Sequence, residues 1–362
     1  MPSIVSVSTV DLPHTLTQDV TTEFAKELFE SDFQDIERLL KAFQNGQIEK
    51  RNFSVPLTWF KEDHTLEEKN NLYIDRAVQY GAECITACLS NRDFLHTNIG
   101  YGEVDAIIFI SSTGMSTPSI DARIMNVLPF SPNTKRIPIW GLGCAGGAAG
   151  LSRAYEYCRA YPEAKVLVLC IELCSLTFQR NDRTKSNLIG TSLFADGVAC
   201  ALVCGDQVEI QRYSHQNVPA ITGTHSCLMP QSEDVMGWDI KDEGLYVVFS
   251  RDIPNIIRNW LQPVIKEFLD KNELTLKDIS YFVAHPGGKK VLEAYEDALG
   301  MGPEFTRYSR EVLQANGNMS SPTVLYVLKE IMKLDHDTGE WGLLGALGPG
   351  FCSELLLLKW SD

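Results

Sequence analysis

No run of apolar residues in this 362-residue chain reaches the roughly 20 positions that a membrane span needs. The N-terminus, Met1-Pro-Ser-Ile-Val-Ser-Val-Ser-Thr-Val10, also lacks the basic head and apolar core of a signal peptide, so a cytoplasmic location is the expectation. Basic residues are scarce: 32 Lys and Arg stand against 47 Asp and Glu, a formal charge of -15. With no long basic run, that balance argues against general affinity for nucleic acid or anionic membrane. Metal-ligand spacing is missing too. None of the ten cysteines forms a C-x-x-C, the pairs 84/88, 170/174 and 200/204 lie in apolar runs, and the seven histidines are scattered. A metal site is therefore not expected, and the cysteines read as reduced core residues.

What is present is an ordinary globular composition, 44% hydrophobic and 22% charged, with one unusual stretch: Trp140-Gly-Leu-Gly-Cys144-Ala-Gly-Gly-Ala-Ala-Gly150. Behind it Leu151, Ala154, Tyr155 and Cys158 recur at helical spacing, and Pro162 closes the helix. Cys144 is thus expected at a helix N-terminus, where unpaired amides and the positive dipole end favour a thiolate. Taken alone, the stretch reads more simply as a buried cysteine among close-packed glycines.

Along the chain, residues 1–10 read as a strand and residues 19–43 as two amphipathic helices broken around Glu30-Ser-Asp32. Arg38 and Lys41 share one face of the second. A helix over 69–90 leads to the buried strand 104–110, and a further helix spans Ser119 to Leu128. After the cysteine helix come strands at 165–171 and 196–205. The order then recurs: strand 279–284, the turn His285-Pro-Gly-Gly288, helix 289–299, a helix opened by Gly317-Asn318, and a terminal strand 352–360. Such recurrence predicts an α/β fold built from two pseudo-symmetric halves, 1–205 and 206–362, with 206–250 as an irregular lobe over a central pocket. A pseudo-two-fold axis would bring Cys144, His285 and Asn318 together.

A cysteine with a histidine and an asparagine also describes papain-like proteases. Here, however, the imidazole is followed by Pro-Gly-Gly and the asparagine is expected to open a helix, an arrangement suited to holding a negative oxygen apart from the nucleophile. Gly143-Cys144-Ala-Gly-Gly147, Ala284-His285-Pro-Gly-Gly288, Gly317-Asn318-Met-Ser-Ser321, Phe194-Ala-Asp196-Gly197 and Gly348-Pro-Gly350 together resemble the type III polyketide synthases, the chalcone synthase-like branch of the thiolase superfamily.

The resemblance implies a layered αβαβα thiolase-like fold, a homodimer, and acyl-CoA and malonyl-CoA as substrates, with no metal or redox cofactor. It implies Cys144 as nucleophile and His285 with Asn318 as the decarboxylation site. Phe194 becomes the gate, and Arg38 with Lys41 the contacts for CoA phosphates. Val247 and Thr117 stand where plant members carry bulkier residues, and with Thr177, Cys174, Leu176, Ser320 and Leu347 they are expected to line the cavity. Room of that kind, and the wording of Ile137-Pro-Ile-Trp-Gly-Leu-Gly-Cys144, resembles the bacterial alkylpyrone and alkylresorcinol branch. A fatty acyl-CoA starter is the resulting expectation. The alternatives are a single-extension ketoacyl-ACP synthase-like enzyme, a cysteine hydrolase and a non-catalytic acyl-CoA-binding module.

Overall fold

A computed structural model describes residues 1–214, 217–250 and 252–361. Nine strands form one mixed sheet: β1 Ser3–Thr9, β2 Ala106–Ile110, β3 Lys135–Ile139, β4 Lys165–Leu173, β5 Asp196–Cys204, β6 Val218–Leu228, β7 Ile279–Ala284, β8 Trp341–Gly348 and β9 Cys352–Ser361. Their order is β7-β8-β9-β6-β1-β5-β4-β2-β3. Strand β2, Ala-Ile-Ile-Phe-Ile, is buried at every position and flanked on both edges by parallel partners. A continuous apolar run is what such a strand requires.

Read outward from the centre, β1-β5-β4-β2 repeats as β6-β9-β8-β7, with the same succession of antiparallel, antiparallel and parallel pairings. The halves join where Ser3 of β1 pairs with Ala220 of β6. They share one continuous sheet rather than keeping two. Helix Gly146–Ala160 touches β2 and β4 of one half and β8 and β9 of the other, so the layers fold around it. It can lie this deep because of its small residues. A Cβ on Gly147 would stand 2.3 Å from the Ser321 carbonyl oxygen, inside any tolerable contact.

Three expectations are corrected, and one helix is added. Residues 218–228 are a strand of the main sheet, half-buried over its second part, which masked the alternation. Only Met236–Lys241 and Gly244–Phe249, a two-stranded hairpin, form the lobe. The helix expected at Asn318 begins at Thr323, leaving Asn318 in an irregular segment. The helix expected from Ser119 to Leu128 is the short Ile120–Ile124, and Arg307–Asn316 is a helix that periodicity did not reveal. Among the described residues no helix is long and apolar enough to cross a membrane.

Candidate active site

Cys144 sits on a one-turn 3-10 helix, Gly143–Ala145, that runs directly into Gly146–Ala160. The Gly143 amide donates to Ser112 Oγ at 3.1 Å, tying the turn to the end of β2. His285 follows β7 in the mirrored position, its backbone amide donating to the Gly345 carbonyl at 2.9 Å. Asn318 is bracketed by the chain after helix Lys185–Leu193: its amide donates to Leu193 O, and the Ala195 amide donates to its carbonyl, both at 2.9 Å.

The side chains then converge. Ser320 Oγ lies 3.6 Å from Cys144 Sγ, the Ser320 amide donates to Asn318 Oδ1 at 2.8 Å, and Asn318 Nδ2 donates to Gly287 O at 3.2 Å. With its oxygen held by Ser320, the Asn318 amide turns its N–H groups toward Gly287 and Cys144. Gly287 itself packs beside His285, whose Nε2 is 3.8 Å from the point a Cβ on Gly287 would occupy.

Electrostatics corrects one expectation. Burial pushes the Cys144 thiol up to about 11; hydrogen bonds from Ser320 and Asn318 pull it down, and nearby Glu172 pushes it further up. The helix end therefore does not by itself hold a thiolate, because desolvation of the sulfur outweighs it. Burial likewise drives His285 down to about 3, and both ring nitrogens lack a hydrogen-bond partner among the described residues. A neutral imidazole without a hydrogen-bond partner among the described residues is left on the turn whose Gly287 carbonyl accepts from Asn318 Nδ2.

Beneath the sulfur, Glu172 at the end of β4 is fully buried. Its carboxyl accepts from the Ser112 amide and Thr113 Oγ1 at 2.9 Å, and from Ser321 Oγ at 2.8 Å. Burial raises it to about 7 against those donors. Beyond the sulfur, the Phe194 ring stacks on Phe249 at 5.5 Å and lies 6.2 Å from Trp238.

Two family models cover most of the chain: the N-terminal domain of chalcone and stilbene synthases matches residues 56–207 and the C-terminal domain residues 221–361. This chain belongs to the type III polyketide synthases. It is 54% identical over 361 residues to a putative chalcone synthase of Bacillus subtilis, covering 99% of each chain. It is 29% identical over 329 residues to an alpha-pyrone synthesis polyketide synthase-like protein of Mycobacterium tuberculosis, covering 89% of this chain and 82% of the other. The crystal structure of 1,3,6,8-tetrahydroxynaphthalene synthase from Streptomyces coelicolor superposes with a TM-score of 0.91 at 28% identity, with 99% of each chain covered. The synthase is accordingly an acyltransferase that condenses CoA thioesters, on a thiolase-type fold.

Of the residues singled out from sequence, Phe194, Thr177, Cys174 and Val247 line one pocket of this synthase, and Ser320 touches Cys144. Leu176 is buried on the turn Cys174–Thr177. Leu347 packs in the core of the second half, in the cluster that holds Phe351 and Tyr295. Thr117 is exposed on the loop after β2. Arg38 and Lys41 lie on the exposed side of helix Ile36–Asn45, where Arg38 pairs with Asp35 at 2.8 Å. Sequence reasoning missed Trp238 and Phe249, which fill the space beside Val247. It also missed Glu172, although a lone acid within Lys-Val-Leu-Val-Leu-Cys-Ile-Glu-Leu173 was a usable signal.

Proposed function

We propose that this synthase loads a fatty acyl-CoA on Cys144, extends it with two or three malonyl units and releases an alkylpyrone or alkylresorcinol. The observation that carries this reading is the pocket behind Phe194. From Cys174, Thr177 and Val247 it continues between Phe24, Phe53 and Phe60, walls that reward an aliphatic tail. Similarity to the mycobacterial alpha-pyrone protein adds support.

In the cycle, Cys144 Sγ attacks the acyl thioester as its proton passes to His285, and CoA leaves with a proton. Malonyl-CoA then loses carbon dioxide, and the electron pair of the broken bond is held as an enolate whose oxygen accepts from the imidazole N–H and the Asn318 amide. That carbon attacks the acyl carbonyl, the bond to Cys144 Sγ breaks with the thiolate leaving, and the lengthened chain, now on the extender's CoA, is returned to Cys144 for the next round. The apolar pocket takes the tail while the reacting end stays at the sulfur. Arg38 and Lys41 are assigned to CoA phosphates. Thr117 lies on a loop that also exposes Met115, beside the exposed ring of Trp140, and this surface is assigned to the second subunit of a homodimer.

Steady-state rates with malonyl-CoA and starters from acetyl- to dodecanoyl-CoA test the reading. We expect kcat/KM to rise with chain length, and a fall along the series overturns the fatty acyl assignment.

A further inference from the structure

Arg51, on the short strand Lys50–Phe53, is 1% exposed. Burial lowers its ionisation to about 9, so the guanidinium keeps its charge at neutral pH, and among the described residues no carboxylate balances it. Burying a cation this way is costly, and a methionine or leucine would fill the same volume without that cost. The geometry shows what the charge holds. Nη1 donates to the carbonyl oxygens of Thr191 at 2.6 Å and Phe194 at 2.9 Å, and Nη2 donates to Gln18 Oε1 at 3.2 Å. Both carbonyls belong to the C-terminal end of helix Lys185–Leu193, where unpaired oxygens and the negative dipole end favour a cation.

The same side chain reaches the other half of the site. Gly317, at φ +73, leaves no room for a side chain: a Cβ there would stand 2.7 Å from Arg51 Cγ and 3.1 Å from Leu193 O. Next to it, Asn318 pairs its backbone with Leu193 and Ala195. One guanidinium and its stem thus set the height of the Phe194 ring and the seat of the Asn318 amide. A planar fork can fix two carbonyls at once, which an ammonium cannot.

We propose that Arg51 is a positioning residue that locks the Phe194 gate and the Asn318 amide in register, so that malonyl decarboxylation depends on it while acylation of Cys144 does not. This rests on the reading of Asn318 as a donor to the enolate oxygen. Two measurements on the full-length protein separate them: release of carbon dioxide from malonyl-CoA, with kcat and KM, and the mass shift of the intact protein on incubation with acetyl-CoA, which has no tail to enter the pocket that Arg51 lines. In Arg51→Met, decarboxylation kcat falls about tenfold or more, while KM for malonyl-CoA and the acylation rate stay within about threefold. Arg51→Lys, keeping the charge but only one carbonyl bond, falls in between. Equal losses in both half-reactions, or none in either, overturn the proposal. Absence of decarboxylation by the unaltered protein overturns the parent reading instead. Should neither variant fold, Gln18→Leu removes the acceptor 3.2 Å from Nη2. A loss there about twofold larger in decarboxylation than in acylation supports the proposal, and equal losses overturn it.

Discussion

The Ser320 hydroxyl lies 3.6 Å from Cys144 Sγ, and the amide of the same residue holds Asn318 Oδ1 at 2.8 Å. One serine, in a left-handed backbone conformation at φ +59, therefore orients the sulfur and the amide together. It supplies no base. In the proposed cycle the proton of Cys144 passes to His285, whose ring nitrogens are without hydrogen-bond partners among the described residues.

Alkylation measures that dependence. With burial pushing the isolated thiol up to about 11, His285→Ala should slow iodoacetamide labelling of Cys144 at neutral pH by about tenfold or more. An unchanged rate would mean that the helix end alone ionises the sulfur.

The two half-reactions should also separate. Cys144→Ala is expected to form no condensation product yet still to release carbon dioxide from malonyl-CoA, because His285 and Asn318, the donors proposed for the enolate, are untouched. Asn318→Ala should lose decarboxylation by on the order of 100-fold while still accepting an acyl group. Radiolabelled malonyl-CoA follows both, and product from the cysteine variant would sink the scheme.

Glu172 predicts a pH effect on stability. Its carboxyl is raised from 4.5 to about 7 in the folded protein, so it binds its proton more tightly there than in the unfolded chain. The stability it contributes is full below the unfolded value and is lost as pH rises through the folded one. His285, lowered from 6.5 to about 3, acts in the opposite sense, contributing stability that is lost as pH falls. The comparison with Glu172→Gln isolates the first group. The amide can still accept from Ser112 and Thr113 and donate to Ser321, so the variant should fold. Denaturation between about pH 5 and 8 should show the unaltered protein losing on the order of 3 kcal/mol relative to the variant. Parallel curves would contradict the raised value.

Trp238 sets the room beside the gate. Trp238→Ala removes the ring 6.2 Å from Phe194 and should move the starter optimum to longer chains. Each further methylene buried contributes about 0.8 kcal/mol, so accommodating two more carbons should raise kcat/KM for the longer starter roughly tenfold. An unchanged chain-length profile would place the tail elsewhere.

The sequence alone determined the halves and their order of elements, because buried parallel strands demand unbroken apolar runs and helices a 3.6-residue period. Strand Ile279–Ala284 and helix Lys289–Leu299 have the bounds their patterns implied. The glycines around Cys144 and the turn after His285 were equally legible, since each is a local requirement of the backbone, whereas the helix expected at Asn318 begins only at Thr323. Only the tertiary structure decided what those residues meet. Burial outweighing a helix end at Cys144, Trp238 taking the space that Val247 seemed to leave, and Arg51 reaching from residue 51 to the carbonyl of Phe194 all join positions far apart in the chain. Desolvation and packing depend on such neighbours, and no periodicity records them.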